Sequence, residues 1–379
     1  MNFDPMQLVA WGAFLLFVLA TLFFDLFVLH RDEHEIRFKE AMIGAVVPVA
    51  VAMGFIGLIF FAYQYHWFTL GTASDAIRND PNESGYYPTD GASAAILYLT
   101  GYLVELSLSA DNVFLFIILM RYFAVPAALQ HRVLFWGVLG ALAMRAFMIV
   151  VGGTLLMEFN WIIYIFGAFL LYTGVKMFFS GEEEKDPGNS IGVKIARRIL
   201  PIHPAFEGNR FFIRKPATLK VGDAAGARPN LRLYATTLFV VLACIEATDL
   251  IFAMDSIPAI FGITKDTFIV FTSNVFAILG LRSLYFLLAG IIDKFHLLKY
   301  GLAVVLAFVG VKMILPLLGH LYAFFAGVPN PHWHMNKFVA LGVIVVTLTT
   351  SVLASLWWPK PHGAGAGPSQ PAPAEAERE

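Results

Sequence analysis

Five acidic residues stand in strongly apolar surroundings: Glu105, Asp111, Glu246, Asp249 and Asp255. Two of them lie in ELSLSADN (105–112), two in DLIFAMDS (249–256), and Glu246 precedes Asp249 by less than one helical turn. A carboxylate near the middle of a membrane helix costs on the order of 2.5–3.5 kcal/mol to insert. Five of them demand compensation by protons, by partner cations or by a bound metal ion. Arg145 and Arg282 are the intramembrane partners at hand, and two guanidiniums neutralise at most two of five acids. A residual negative site is therefore expected, in preference to a balanced set of structural ion pairs. The supporting donors nearby are the Asn112 amide and the Ser109 and Ser256 hydroxyls. An all-oxygen set suits Mg²⁺, Ca²⁺ or Mn²⁺, whereas copper and zinc favour imidazole and thiolate. Cys244 is the single cysteine, so an intrachain disulfide and a thiolate cluster are both excluded.

The elements that must hold these acids are membrane helices. Of the 379 residues 58% are hydrophobic and 14% charged, and the mean hydropathy is +0.71. A soluble chain carries roughly 25% charged residues, so the net charge of −1 hides a shortage of both signs. Apolar runs long enough to span, about 20 residues each, fall at 6–29, 41–64, 92–120, 131–157, 160–180, 233–261, 267–292, 297–319 and 335–357. The fold class expected is an all-α integral membrane protein of nine transmembrane helices. The first run lacks a basic leader and a small-residue cleavage site, so it reads as a retained helix. Lys and Arg then set the orientation. With the N-terminus outside, Arg31, Arg37, Lys39, Arg121, Arg132, Lys294, Lys299, Lys360 and Arg378 face the cytosol, joined by ten basic residues in the 181–232 loop. Arg78, Lys265 and Lys337 remain outside. An N-out, C-in protein of a bacterial inner membrane is the expectation, with no nucleic-acid partner.

Two regions repeat. Glu105 aligns with Asp249, Asp111 with Asp255, Arg145 with Arg282, and Gly174-Val175-Lys176-Met177 with the identical Gly310-Val311-Lys312-Met313. Each unit has three crossings, an odd number, so the second copy enters the membrane from the other side. The expected organisation is therefore two peripheral helices (1–64), an outer loop (65–91), repeat one with the third to fifth helices (92–180), and a basic cytosolic loop (181–232). Repeat two with the sixth to eighth helices (233–319), a ninth helix (335–357) and a low-complexity disordered tail (361–379) follow. Inverted repeats of this kind place a substrate site at their interface near mid-bilayer.

Acids six residues apart sit about 120° apart on an ideal helix. Either they face different neighbours or the helix is distorted between them. Pro258 disfavours helix at Ile257 and conflicts with the Met254 carbonyl, so a break beside Asp255 and Ser256 is expected. Lys176 and Lys312 are expected to snorkel towards opposite faces. The 181–232 loop mixes helix formers with Pro and Gly breaks and reads as an ordered cap. No phosphate-binding glycine loop, nucleophile–His pairing or HExxH motif is present, so no enzyme is expected.

Between Ala235 and Gly290 the stretches EATDLIFAMDSIPAIFGIT and FIVFTSNVFAILGLRSLYFLLAG closely resemble the TerC/Alx family of bacterial membrane proteins. ELSLSADNVF, RILPIHPAFEGNRFFIRK and FDLFVLHRDEHEI fit the same pattern, so the resemblance covers residues 10–355. One departure is Thr237, where the family usually has proline. The resemblance implies the LysE-type transporter superfamily and metal-ion homeostasis, with Mn²⁺ export as the activity and tellurite resistance linked to other members. It also implies that the family's intramembrane acids fall on Glu105, Asp111, Glu246, Asp249 and Asp255. The expectation is thus a secondary transporter that exports Mn²⁺, with Ca²⁺ as alternative cargo and protons as a candidate coupling ion, and that holds no resident cofactor. Two other readings compete: a membrane scaffold of a tellurite or stress-resistance complex, and an exporter of organic solutes, which five carboxylates argue against.

Overall fold

The computed structural model describes residues 5–24, 38–72, 86–159, 161–179, 201–203, 206–216, 231–289, 297–326, 333 and 335–358. Within them lie α1 (Pro5–Phe24), α2 (Phe38–Gln64), α3 (Gly91–Tyr122), α4 (Ala127–Glu158), α5 (Ile162–Phe179), α6 (Thr237–Phe261), α7 (Thr267–Leu279), α8 (Leu281–Leu288), α9 (Leu298–Ala326) and α10 (Lys337–Trp357). Among the described residues nine stretches are long and apolar enough to cross a bilayer, α7 and α8 together forming one. The protein is therefore a helical membrane protein of nine candidate spans. The tail from 361 and most of the 181–232 loop lie outside the described residues.

The core is built from α3–α5 and α6–α9. Helix α3 packs on α6 and α7, α4 on α6 and α7, and α5 chiefly on α9. These pairings are reciprocal: exchanging the two sequence-related units turns α3–α7 contact into α6–α4 contact and returns α5–α9 to itself. The α5–α9 crossing shows it at the atomic level. A Cβ added to Gly174 would stand 2.6 Å from the Ala307 nitrogen and 2.7 Å from the Ala303 carbonyl oxygen. On its aligned partner, Gly310, a Cβ would stand 2.6 Å from the Leu171 nitrogen and 2.7 Å from the Gly167 oxygen. Small residues let helix backbones approach in a medium where apolar burial drives no association. Helices α1, α2 and α10 are largely exposed along their lengths, as peripheral helices are. An aromatic cluster of Trp11, Phe14 and Phe55 fastens the first two to Phe268, Phe271 and Phe276 of α7.

Two local expectations are corrected. The seventh span is present as expected, Thr267–Leu288, with a joint at Gly280, a poor helix former, where α7 meets α8 and Pro48 of α2 packs close by. Pro258 does not break α6, which continues through it to Phe261. It removes one hydrogen bond within a turn of the helix end, and the buried run Ser256–Phe261 is held by its neighbours. Lys312 does not snorkel. It is 7% exposed, and its Nζ donates to the carbonyls of Gly262 (2.9 Å) and Ile263 (3.4 Å) just past the C-terminus of α6. There it supplies positive charge where the helix dipole is negative, and the Tyr86 ring lies 5.4 Å from it.

Outside the helices a small sheet interrupts the all-helical plan. Strands β1 (Ile202–His203), β2 (Phe212–Pro216) and β3 (Leu231–Thr236) run in the order β1-β3-β2, with β1 parallel and β2 antiparallel to β3. Strand β3 leads directly into α6, and buried Thr236 donates to the Arg210 carbonyl at 2.8 Å. Arg132 lies over the Phe211 ring at 5.3 Å, docking the sheet on α4. The sheet therefore fixes the entry of the helix that carries Asp249.

Asp266 caps α7, accepting from the Phe268 and Ile269 backbone (3.1 Å each) and from the Tyr63 hydroxyl (2.9 Å). Burial nevertheless pushes its carboxyl above the usual range, outweighing those donors. The unfolded chain then ionises first as pH rises, so Asp266 removes stability on passing from acid to neutral pH.

Two outcomes are expected. Gly174→Ala and Gly310→Ala each force backbone apart and should cost about 1–3 kcal/mol, whereas Gly54→Ala, with nothing within 4 Å, should not. Thermal unfolding of detergent-purified protein checks this. Asp266→Asn keeps the cap and loses the buried charge, so its thermal midpoint relative to the wild type should rise as pH increases from the ordinary carboxyl range to neutrality; a falling difference would refute the assignment.

Candidate functional site

Heptad spacing builds the site. Glu105, Ser109 and Asn112 are four and three residues apart and so share one stripe of α3. Asp249 and Ser256, seven apart, share one stripe of α6. Where α3 and α6 pack, the two stripes face each other, and Arg145 reaches between them from α4. All are buried: Glu105 is 1%, Asp249 2% and Arg145 2% exposed. Arg145 Nη1 donates to Glu105 Oε1, to Ser256 Oγ at 3.2 Å and to Asn274 Oδ1 at 2.9 Å. Its Nη2 lies 3.6 Å from Asp249 Oδ1. Asn112 donates to the same Asp249 oxygen at 3.4 Å, and Ser109 to Glu105 Oε1 at 3.5 Å.

The second carboxylate oxygens, Glu105 Oε2 and Asp249 Oδ2, are buried without a hydrogen-bond partner among the described residues. A guanidinium stays protonated in proteins, so one positive charge faces two acids in a medium that hardly screens. The arrangement sets one guanidinium between two carboxyl groups, each with one oxygen turned away from it. Hydrogen-bonded charge pairs of this kind cost desolvation that ordinary packing would not.

The other sequence-picked acids stand apart. Glu246 is half-buried on α6, its carboxylate resting against the backbone of Gly140 so closely that any Cβ there would overlap it. Asp255, half-buried, faces Thr173 of α5. Because α6 stays helical, the 120° between Asp249 and Asp255 is realised as two different neighbours. Asp111 lies in α3, and its side chain falls outside the described residues. Arg282 is buried on α8; the described ion pairs of the site are made by Arg145. Among the described residues no three His, Cys, Asp or Glu side chains converge closely enough to grip a metal ion.

Two participants escaped sequence reasoning. Asn274, fully buried, presents its oxygen to Arg145 while its amide nitrogen donates to the Val270 carbonyl at 3.1 Å. A lone amide in the middle of an apolar span was the available signal. Gly140 carried none, since its meaning appears only when Glu246 is laid over it.

Residues 90–362 match the integral membrane protein TerC family. Over 346 residues the chain is 40% identical to the "Uncharacterized membrane protein STKORF319" of Myxococcus xanthus, covering 91% of each chain. It is also 40% identical over 348 residues to the "Putative membrane-bound redox modulator Alx" of Escherichia coli K12, covering 92% of this chain and 94% of that one. A Rickettsia bellii protein, "Uncharacterized membrane protein", is 36% identical over 307 residues, or 81% of this chain and 88% of its own. No solved structure matches the chain.

Breaking a buried ion pair from one side strands the other charge at a cost of about 3–5 kcal/mol. Glu105→Gln and Arg145→Met should therefore each be strongly destabilising, and the double variant should lose clearly less than their sum. A double-mutant cycle on thermal unfolding reads this coupling; additive losses would mean that the pair does not act as a unit.

Proposed function

The chain belongs to the TerC family of integral membrane proteins, and we propose that it is a secondary transporter exporting a divalent cation from the bacterial cytosol. Mn²⁺ is the cargo favoured, with Ca²⁺ as the alternative, and the chain acts as a carrier, not an enzyme. The observation that carries this reading is the meeting of Glu105 and Asp249, one from each sequence-related unit, on a single guanidinium, with one oxygen of each unpartnered among the described residues. A site shared by two repeats is one that rocking of the repeats can open to either side in turn. The reciprocal contacts of Gly174 and Gly310 support an inverted pair of units able to do so, with the N-terminus outside and the C-terminus in the cytosol.

The donor chemistry is hard oxygen throughout: two carboxylates, the Asn112 and Asn274 amides and the Ser109 and Ser256 hydroxyls. That is the set expected for Mn²⁺ or Ca²⁺ and not for a soft metal. Three acid-bearing levels lie along α6, from Glu246 through Asp249 to Asp255, spanning about 13 Å at 1.5 Å per residue. Asp249 and Glu105 form the central site; Asp255 and Glu246 act as stations on either side, and their protons are the candidates for exchange against the metal. Asp111 is assigned to the same set on sequence. The name of the Escherichia coli relative speaks of redox, yet Cys244, the single cysteine, is buried and offers no thiol pair. Control of a redox-active cation reconciles the two descriptions.

A scaffold role draws on a different feature, the sheet that fastens part of the 181–232 loop to α4 and α6. Inverted membrane vesicles separate the readings. Asp249→Asn should lower Mn²⁺ uptake by about tenfold or more while expression persists, and Asp255→Asn should lower it less. Uptake equal to that of empty vesicles for the unmodified protein would sink the transport reading, and damage confined to loop truncations would favour the scaffold.

A further inference from the structure

Four described oxygens between α3, α6 and α7 already face one cation, the Arg145 guanidinium. Glu105 Oε1, Ser256 Oγ and Asn274 Oδ1 accept from one nitrogen of Arg145, and Asp249 Oδ1 faces the other at 3.6 Å. The two neutral acceptors are informative. Asn274 has its amide nitrogen committed to Val270, which fixes its oxygen towards the guanidinium. Uncharged amide and hydroxyl oxygens beside carboxylates are what a hard divalent ion takes from a protein.

We propose that Arg145 is a tethered counter-cation. It holds the carboxylate site while no metal is bound and must withdraw for a divalent ion to enter. The inference rests on the transport reading above and assigns the residue that regulates its site.

Charge arithmetic supports it. With the guanidinium in place, Glu105 and Asp249 leave one net negative charge. Once it withdraws they present two, which a divalent ion cancels and a monovalent ion does not. Displacement thus selects for charge as well as for oxygen affinity. It also solves release, because the returning guanidinium competes for the same four oxygens without any diffusing partner. Glu246, within one turn of Asp249 on α6, rests over Gly140 of α4 and places a third carboxylate on the same α4–α6 seam.

The test uses purified full-length protein and MnCl₂, with Arg145→Gln and Arg145→Lys beside the wild type. Arg145→Gln should lower the thermal midpoint without metal, yet Mn²⁺ should raise it by more than it raises the wild type. Its apparent Mn²⁺ dissociation constant should fall by about tenfold or more, since a competing charge at contact distance is gone. In vesicles its KM and maximal rate should fall together, the rate because nothing drives release. Arg145→Lys keeps the charge but engages fewer acceptors, so it should fall between the two. A purely structural arginine predicts the same lowered midpoint with no Mn²⁺-specific recovery, and that result overturns the proposal. If Arg145→Gln yields no folded protein, Arg145→Lys decides: an unchanged KM overturns the proposal and a lowered one supports it. Failure of the transport reading looks different, as neither the wild type nor any variant would respond to Mn²⁺.

Discussion

One buried guanidinium determines much of this structure. Arg145 draws a carboxylate from α3, a carboxylate and a hydroxyl from α6, and an amide from α7 into contact with α4. A charged group that is 2% exposed in an apolar bundle is tolerable only if its partners are held in place. Its partners come from both sequence-related units, so neither unit alone could satisfy it. The helices of the two units therefore pack across each other, α3 on α7 and α4 on α6, before they pack among themselves.

The remaining features serve that crossing. Glycines at 174, 310 and 167 bring α5 and α9 into backbone contact on the flank of the site. Lys312 closes the end of α6 by occupying carbonyls that the helix cannot satisfy itself. At the other end of α6, β3 runs into the helix and fixes where it begins. Helix α6 is thus held at both ends and through its middle, and it carries three of the five acids. Its counterpart α3 has a comparable anchor in Asp90, whose side chain and Ser93 form a reciprocal cap at the first turn.

Much of this was legible in the residues. The nine spans follow from hydropathy because a membrane leaves the backbone few alternatives to helix. Glu105, Asp249 and Arg145 were found because charge inside an apolar run has no cheap explanation. What escaped depends on the third dimension. The 120° between Asp249 and Asp255 allowed either a kink or two neighbours, and packing of the run Ser256–Phe261 decided for the second despite Pro258. Lys312 aligned with Lys176 and invited the same snorkelling role, yet it is buried at the end of α6 while Lys176 is exposed beside Tyr172. Asn274 was passed over because an amide is cheaper to bury than an acid and drew less notice. The sheet was hidden by a loop whose composition gave helix and turn signals together.

If Glu105 and Asp249 form one divalent-cation site across the two units, Mn²⁺ must bind there. The most direct measurement is a Mn²⁺ titration of the detergent-purified protein followed by electron paramagnetic resonance, with Asp249→Asn alongside. The account predicts a saturable Mn²⁺ site in the wild type that is lost in the variant. Saturable binding of equal strength in both proteins, or in neither, would contradict it.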